Sequence, residues 1–261
     1  PAMSELTITL PDGSTRKLPE GATGADLAAD IGPGLAKAAL VVTVDGDARD
    51  LDRVLPDGST VSIVTASSDD GLHTIRHSTA HVLAQAVLDL WPGATYAIGP
   101  PIQDGFYYDF ELPGGATFSN EDLEAIEVRM RLVIDADQAF ERHEADAAEA
   151  LELFSGHPYK REIIEQVTSG AATGELAGEA STDGSVTYYR NGEGFIDLCL
   201  GPHVPSTGRL GHFALQKVAG AYWRGDEKQP MLQRIYGTAW ADKKALKGHL
   251  HRLVEAEKRD H

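Results

Sequence analysis

Residues 66–91 read ASSDDGLHTIRHSTAHVLAQAVLDLW. The first six are small and polar, the composition of a linker that ends by capping a helix. From His73 to Trp91 the apolar positions Ile75, Val82, Leu83, Ala86, Val87 and Leu90 recur at helical spacing, and Pro92-Gly93 stops the run. The pattern predicts a helix from His73 to Trp91 with His77 and His81 on one face, since residues four apart are neighbours there. The linker divides the chain into a first domain over residues 3–66 and a second over 72–240, followed by a linker helix over 241–261.

On the N-terminal side, Leu6, Ile8 and Leu10 alternate ahead of a Pro11-Asp12-Gly13 turn, and a second turn, Pro56-Asp57-Gly58, precedes Val61 and Ile63. Between them Thr23 is placed to cap a short helix through Ala29, and Leu40–Val44 is an apolar run suited to a central strand. This succession resembles the TGS domain, a ubiquitin-like β-grasp module found beside RNA-linked enzymes.

On the C-terminal side, a hairpin is expected from Tyr96 to Leu112 around Asp104-Gly105, then a helix begun by Ser119 and a short helix near Ala147–Phe154. Thr168–Ser185 has little apolar periodicity and reads as a mobile surface loop. A hairpin over Val186–Cys199 turns at Asn191-Gly192; strands follow around Phe213–Val218 and Leu232–Tyr236, and a helix closes the chain from Asp242 to at least Lys258. The expected class is α+β: a small β-grasp domain, then a larger domain with an antiparallel sheet.

One cysteine in 261 residues excludes an internal disulfide framework. With no leader-like N-terminus and no apolar run long enough to span a bilayer, the expected location is the cytoplasm, with no membrane partner. A net charge of −17 opposes general binding to a polyanion. Arg209, Lys217, Arg224, Lys228, Arg234, Lys243, Lys244 and Lys247 nevertheless offer a local basic face late in the chain.

Chemistry concentrates in two pairs with the same spacing, His77 and His81 in HSTAH and Cys199 and His203 in CLGPH. Each is weak alone: the histidines also suit a solvated face, and a lone cysteine is commonly a small buried hydrophobe. The glutamate that zinc peptidases carry after the first histidine is Ser78 here. Gly201 and Pro202 rule out a helix through the second pair, and a strand carrying Asp197 and Cys199 points both to one face. The four residues also form a zinc-competent set, three nitrogens and one sulfur. Lys160 by itself reads as a surface lysine. Of Tyr107 and Tyr108, adjacent on a strand, at most one enters a pocket.

HSTAHVLAQAV, IGPPIQDGFYYDF, HPYK, DLCLGPHV, KVAGAYWRGD and LQRIYGTAW, in that order, resemble the N-terminal half of bacterial threonyl-tRNA synthetases, TGS domain plus editing domain. The resemblance implies hydrolysis of seryl-tRNA(Thr), because one methyl group is worth only about 1 to 3 kcal/mol in a binding pocket. It assigns His77, Lys160, Asp197 and His203 to catalysis: His77 with Asp197 handling the water, Lys160 stabilising charge or the leaving ribose hydroxyl, and His203 orienting the terminal adenosine or a second water. His81, Tyr108 and Cys199 line the pocket, and Arg224 contacts tRNA. No cofactor is implied; zinc, if bound, would sit on His77, His81, Cys199 and His203, as related alanyl domains suggest.

The implied partners are tRNA(Thr) charged with serine and, in a full synthetase, the class II catalytic and anticodon-binding domains, without which this chain is not expected to charge tRNA. Two departures from the family pattern are Leu200, at a position often basic, and a long Thr168–Ser185 segment. The alternatives are a noncatalytic tRNA- or protein-binding module and a zinc-dependent freestanding deacylase.

Overall fold

A computed structural model describes residues 4–172, 176 and 184–261. Its contacts group the chain to Ile75 with Gly201–Pro205 in one unit, and Arg76–Leu200 with Ser206–His261 in another.

In the first unit β1 (Glu5–Thr9) and β2 (Thr15–Pro19) pair antiparallel. Their turn is set by Asp12, whose Oδ1 accepts the Ser14 N–H at 2.9 Å, and by Gly13 at φ 85°. Thr23 caps α1 (Gly24–Ile31) in a reciprocal capping box with Asp26, as its residue type predicts. After α2 (Pro33–Ala38) comes β3 (Ala39–Val44), central between β4 (Asp47–Asp50) and β5 (Val61–Thr65). The Thr9 N–H donates to Ser59 O at 3.0 Å, and Thr9 bridges Thr60 in parallel, completing the β-grasp pattern. Ile8, Leu27, Val42 and Leu55 form its buried centre, each stabilising the fold by roughly 1.5–3 kcal/mol.

Helix α3 (Asp69–Leu90) begins before His73, the start that the apolar spacing predicts. Ser68 Oγ accepts the Gly71 N–H at 3.1 Å, and Asp69 and Asp70 place negative charge at the positive end of the helix. Gly71 is required there, because a Cβ would stand 1.8 Å from Thr65 O.

In the second unit β6 (Thr95–Tyr96) and β7 (Pro101–Ile102) both pair with β8 (Gly105–Glu111). Helix α4 (Asn120–Asp135), capped by Ser119 and Asp122, buries Leu123, Ile126, Met130 and Val133. Then come β9 (Phe140–Ala145), α5 (Ala147–Leu153), α6 (Pro158–Thr168), β10 (Val186–Asn191) and β11 (Phe195–Leu198). The chain closes with β12 (Phe213–Tyr222), β13 (Met231–Ala239) and α7 (Lys243–Arg259), the last capped by Asp242.

Two antiparallel sheets result, ordered β11-β10-β9 and β12-β13-β8-β6. The class is α+β with antiparallel sheets, as expected. Of the segment expected as a loop, Thr168 closes α6, and residues 173–175 and 177–183 lie outside the described residues. No described helix is long and apolar enough to cross a membrane.

Candidate active site

Two periodicities meet in the second unit. Four residues of helix advance about 6 Å, and two residues of strand advance about 6.6 Å. The His77–His81 step on α3 therefore matches the Asp197–Cys199 step at the end of β11, with the chains running in opposite directions. His77 Nε2 lies 3.2 Å from Cys199 Sγ, and His81 Nε2 lies 3.6 Å from Asp197 Oδ2. The two imidazoles meet edge to face, their ring centres 5.2 Å apart.

This register corrects one expectation. The imidazole set against Asp197 is that of His81, while His77 faces the thiol; a helix and a strand of matched step join the partners in order along their length. His77 is half-buried and His81 fully buried. Burial pushes the His81 imidazole down to about 4, against the pull of Asp197 and with a further push from Lys160. At neutral pH the His81–Asp197 contact therefore joins a neutral ring to a carboxylate.

Lys160 overturns the surface reading. It sits in the first turn of α6, completely buried, where a cation opposes the helix dipole. Its Nζ is 2.6 Å from Asp197 Oδ1 and donates to Tyr108 Oη at 2.8 Å, and Tyr108 Oη donates to Asp197 Oδ2 at 2.7 Å. The ammonium also lies 4.6 Å from the centre of the Tyr96 ring and 5.3 Å from that of Tyr108. This closed triangle satisfies a buried charge pair that would otherwise be costly to desolvate.

Of the two adjacent tyrosines, Tyr108 enters the triangle. Tyr107 lies on the other face of β8, under the Arg234 guanidinium at 3.8 Å from its ring centre. Gly99 makes the arrangement possible: a Cβ there would stand 2.1 Å from Tyr108 Cδ2.

Sequence reasoning did not single out Tyr96 or His157. Tyr96 donates to Ile196 O at 2.6 Å and stacks on Tyr108, and burial, then the Asp197 charge, holds its phenol well above the usual range. His157 packs edge-on against Tyr96, its ring centre 4.8 Å away, and burial, then Lys160, lowers its pKa. The HPYK motif carried the signal for His157, three residues before the lysine.

His203, Arg224 and Arg234 each make contacts of their own. His203, buried, belongs to the Gly201–Pro205 segment of the first unit, where its backbone N–H donates to Asp50 Oδ1 at 2.8 Å. Arg224, at φ 57° in a short turn after β12, pairs with Glu162 Oε1 at 3.1 Å, and Trp223 Nε1 donates to the same carboxylate at 2.9 Å. Arg234 forks onto the two oxygens of buried Asp109 at 2.8 and 3.0 Å. Two of the eight late basic residues are thus matched by acids within the protein.

One donor atom each from His77, His81 and Cys199 lies within 4.8 Å of the others. Two imidazoles and a thiol are donors that zinc accepts, so the set fits that metal chemically. A half-exposed histidine backed by a buried imidazole, a carboxylate and an ammonium is equally a set that can take a proton from water.

Residues 6–65 match the TGS domain family, and residues 186–236 match the family described as the threonyl and alanyl tRNA synthetase second additional domain. The chain is 54% identical over 259 residues to the threonine--tRNA ligase of Maricaulis maris, an alignment covering 98% of this chain and 38% of that one. It is 52% identical over 256 residues to that of Acidithiobacillus ferrooxidans, covering 97% and 37%. To that of Pelobacter propionicus it is 51% identical over 261 residues, covering 99% and 38%. The chain thus spans less than two-fifths of the length of these relatives.

Proposed function

From a chain that carries the TGS domain and the second additional domain of threonyl and alanyl tRNA synthetases, related along nearly its whole length to threonine--tRNA ligases, we propose the hydrolysis of serine mischarged onto tRNA(Thr). The observation that carries this reading is the meeting of the HSTAH helix with the strand bearing Asp197 and Cys199, which sets histidines, carboxylate and lysine in one site. The reaction needs a positioned water, a base and a donor to the developing oxyanion.

In this proposal half-exposed His77 accepts the proton as water attacks the ester carbonyl. Asp197 acts through His81, whose neutral ring braces His77 edge to face. Lys160 supports the negative charge that builds on the carbonyl oxygen; the tetrahedral intermediate then collapses, and the ribose oxygen leaves with the proton held by His77. Tyr108 and Cys199 wall the seryl pocket, and His203 orients the terminal adenosine or a second water. Arg224 contacts tRNA by exchanging its pairing with Glu162 for a phosphate.

The step needs no metal. Zinc, if bound, would be held by His77, His81 and Cys199, with His203 available in the sequence as a fourth ligand, and would supply an acidified water. Full ester hydrolysis is expected after exhaustive chelation; loss of activity restored by zinc alone would reverse this. The reading as a whole is tested by incubating the chain with seryl-tRNA(Thr) under single-turnover conditions. Loss of the ester well above its rate in buffer is expected, slowed about 100-fold or more by His77→Ala if the imidazole acts as the base. A rate equal to buffer would instead indicate a binding module.

A further inference from the structure

We propose that Asp50, in the β-grasp unit, is a positioning residue for His203; the functional consequence rests on the hydrolytic role proposed above for that histidine. Asp50 ends β4, is only 7% exposed, and accepts the His203 backbone N–H on Oδ1 at 2.8 Å across 153 residues of sequence. A carboxylate is kept from water only where polar partners replace its hydration, and an amide donated to a charged acceptor is among the stronger of these.

The acceptor matters more here than in a strand. Gly201-Pro202-His203-Val204-Pro205 lies in no helix or strand, so no ladder holds it, and its two prolines bring no N–H. The His203 amide is one of three backbone donors in those five residues, and Asp50 fixes it at the residue whose side chain is assigned to the reaction. β4 is short and carries the sequence DARD, with no apolar alternation of its own, and its terminal aspartate is the buried position. The β-grasp unit thus has a task beyond its own stability: it anchors the backbone from which His203 projects.

Two readouts test this on Asp50→Ala and Asp50→Asn. In amide hydrogen exchange followed by NMR, the His203 N–H should be protected in the parent chain. It should exchange about tenfold faster or more in Asp50→Ala, with Asp50→Asn between because the amide oxygen still accepts. The Thr207 N–H, bonded to Gln138 O at 2.8 Å, is the internal control and should not change. In seryl-tRNA(Thr) hydrolysis, Asp50→Ala should lower kcat about tenfold with KM within about twofold, and Asp50→Asn should recover most of the loss. Unchanged His203 exchange in Asp50→Ala would overturn the proposal, as would an unchanged kcat where His203→Ala is slow. Should Asp50→Ala fail to fold, Asp50→Asn decides by the same exchange measurement. A parent chain without hydrolysis would defeat the functional reading and leave the exchange result to judge the Asp50 contact.

Discussion

Lys160 is the residue whose environment departs most from the habits of its type. Removing one member of a buried ion pair strands the other, at a cost of roughly 3–5 kcal/mol. Lys160→Ala should therefore lower the urea midpoint markedly as well as slow hydrolysis, whereas His77→Ala, at a half-exposed position, should slow hydrolysis with little change in the midpoint. An unaltered midpoint for Lys160→Ala would show that Asp197 does not depend on the lysine. His81 makes a second prediction. Its folded pKa of about 4 lies below the ordinary 6.5, so between those values the unfolded chain holds more protons. This contribution to stability is complete above pH 6.5 and is lost as pH falls toward 4, by about 1.4 kcal/mol per unit. His157 and His249 are lowered too, so the measurement is the difference in unfolding free energy between the parent and His81→Asn across that range. A difference independent of pH would contradict the burial of a neutral ring.

The pairing of α3 with the end of β11 is a matter of matched steps, and Gly99 is the point where a small change should disturb the elements behind it. Gly99→Ala places a methyl group against the Tyr108 ring, so Tyr108 must leave its hydrogen bonds to Lys160 and Asp197. Hydrolysis about tenfold slower is expected, with normal secondary structure by circular dichroism; a parent-like rate would show that Tyr108 is dispensable. Much of this architecture could be read in the sequence where periodicity and capping agreed: Thr23 and α1, the Leu40–Val44 run in β3, Ser119 and α4, Asp242 and α7. β4 and β9 escaped because DARD and FERHEA show no apolar alternation, although the Asp45-Gly46 turn before β4, with both φ positive, is a strong hairpin signal. Within the site, spacing put His77 with His81 and Asp197 with Cys199. It could not supply the register between the two pairs, because that depends on how a distant helix and strand are offset.

For the whole chain the difficulty is electrostatic: a net charge of −17 opposes the polyanionic partner that the proposed function requires. Arg234 is committed to Asp109 and Arg224 pairs with Glu162, so the proposed phosphate contact of Arg224 must compete with a carboxylate and is expected to weaken with salt. Hydrolysis at limiting tRNA should fall steeply as ionic strength rises, and a flat profile would locate recognition outside backbone contacts. What the assembled groups are for is best decided by comparing single-turnover ester loss from seryl-tRNA(Thr) and threonyl-tRNA(Thr) with the same preparation of this chain. The seryl ester is predicted to disappear at least about tenfold faster, the discrimination available from excluding one methyl group. Equal rates for the two esters, or neither exceeding that in buffer, would contradict the account.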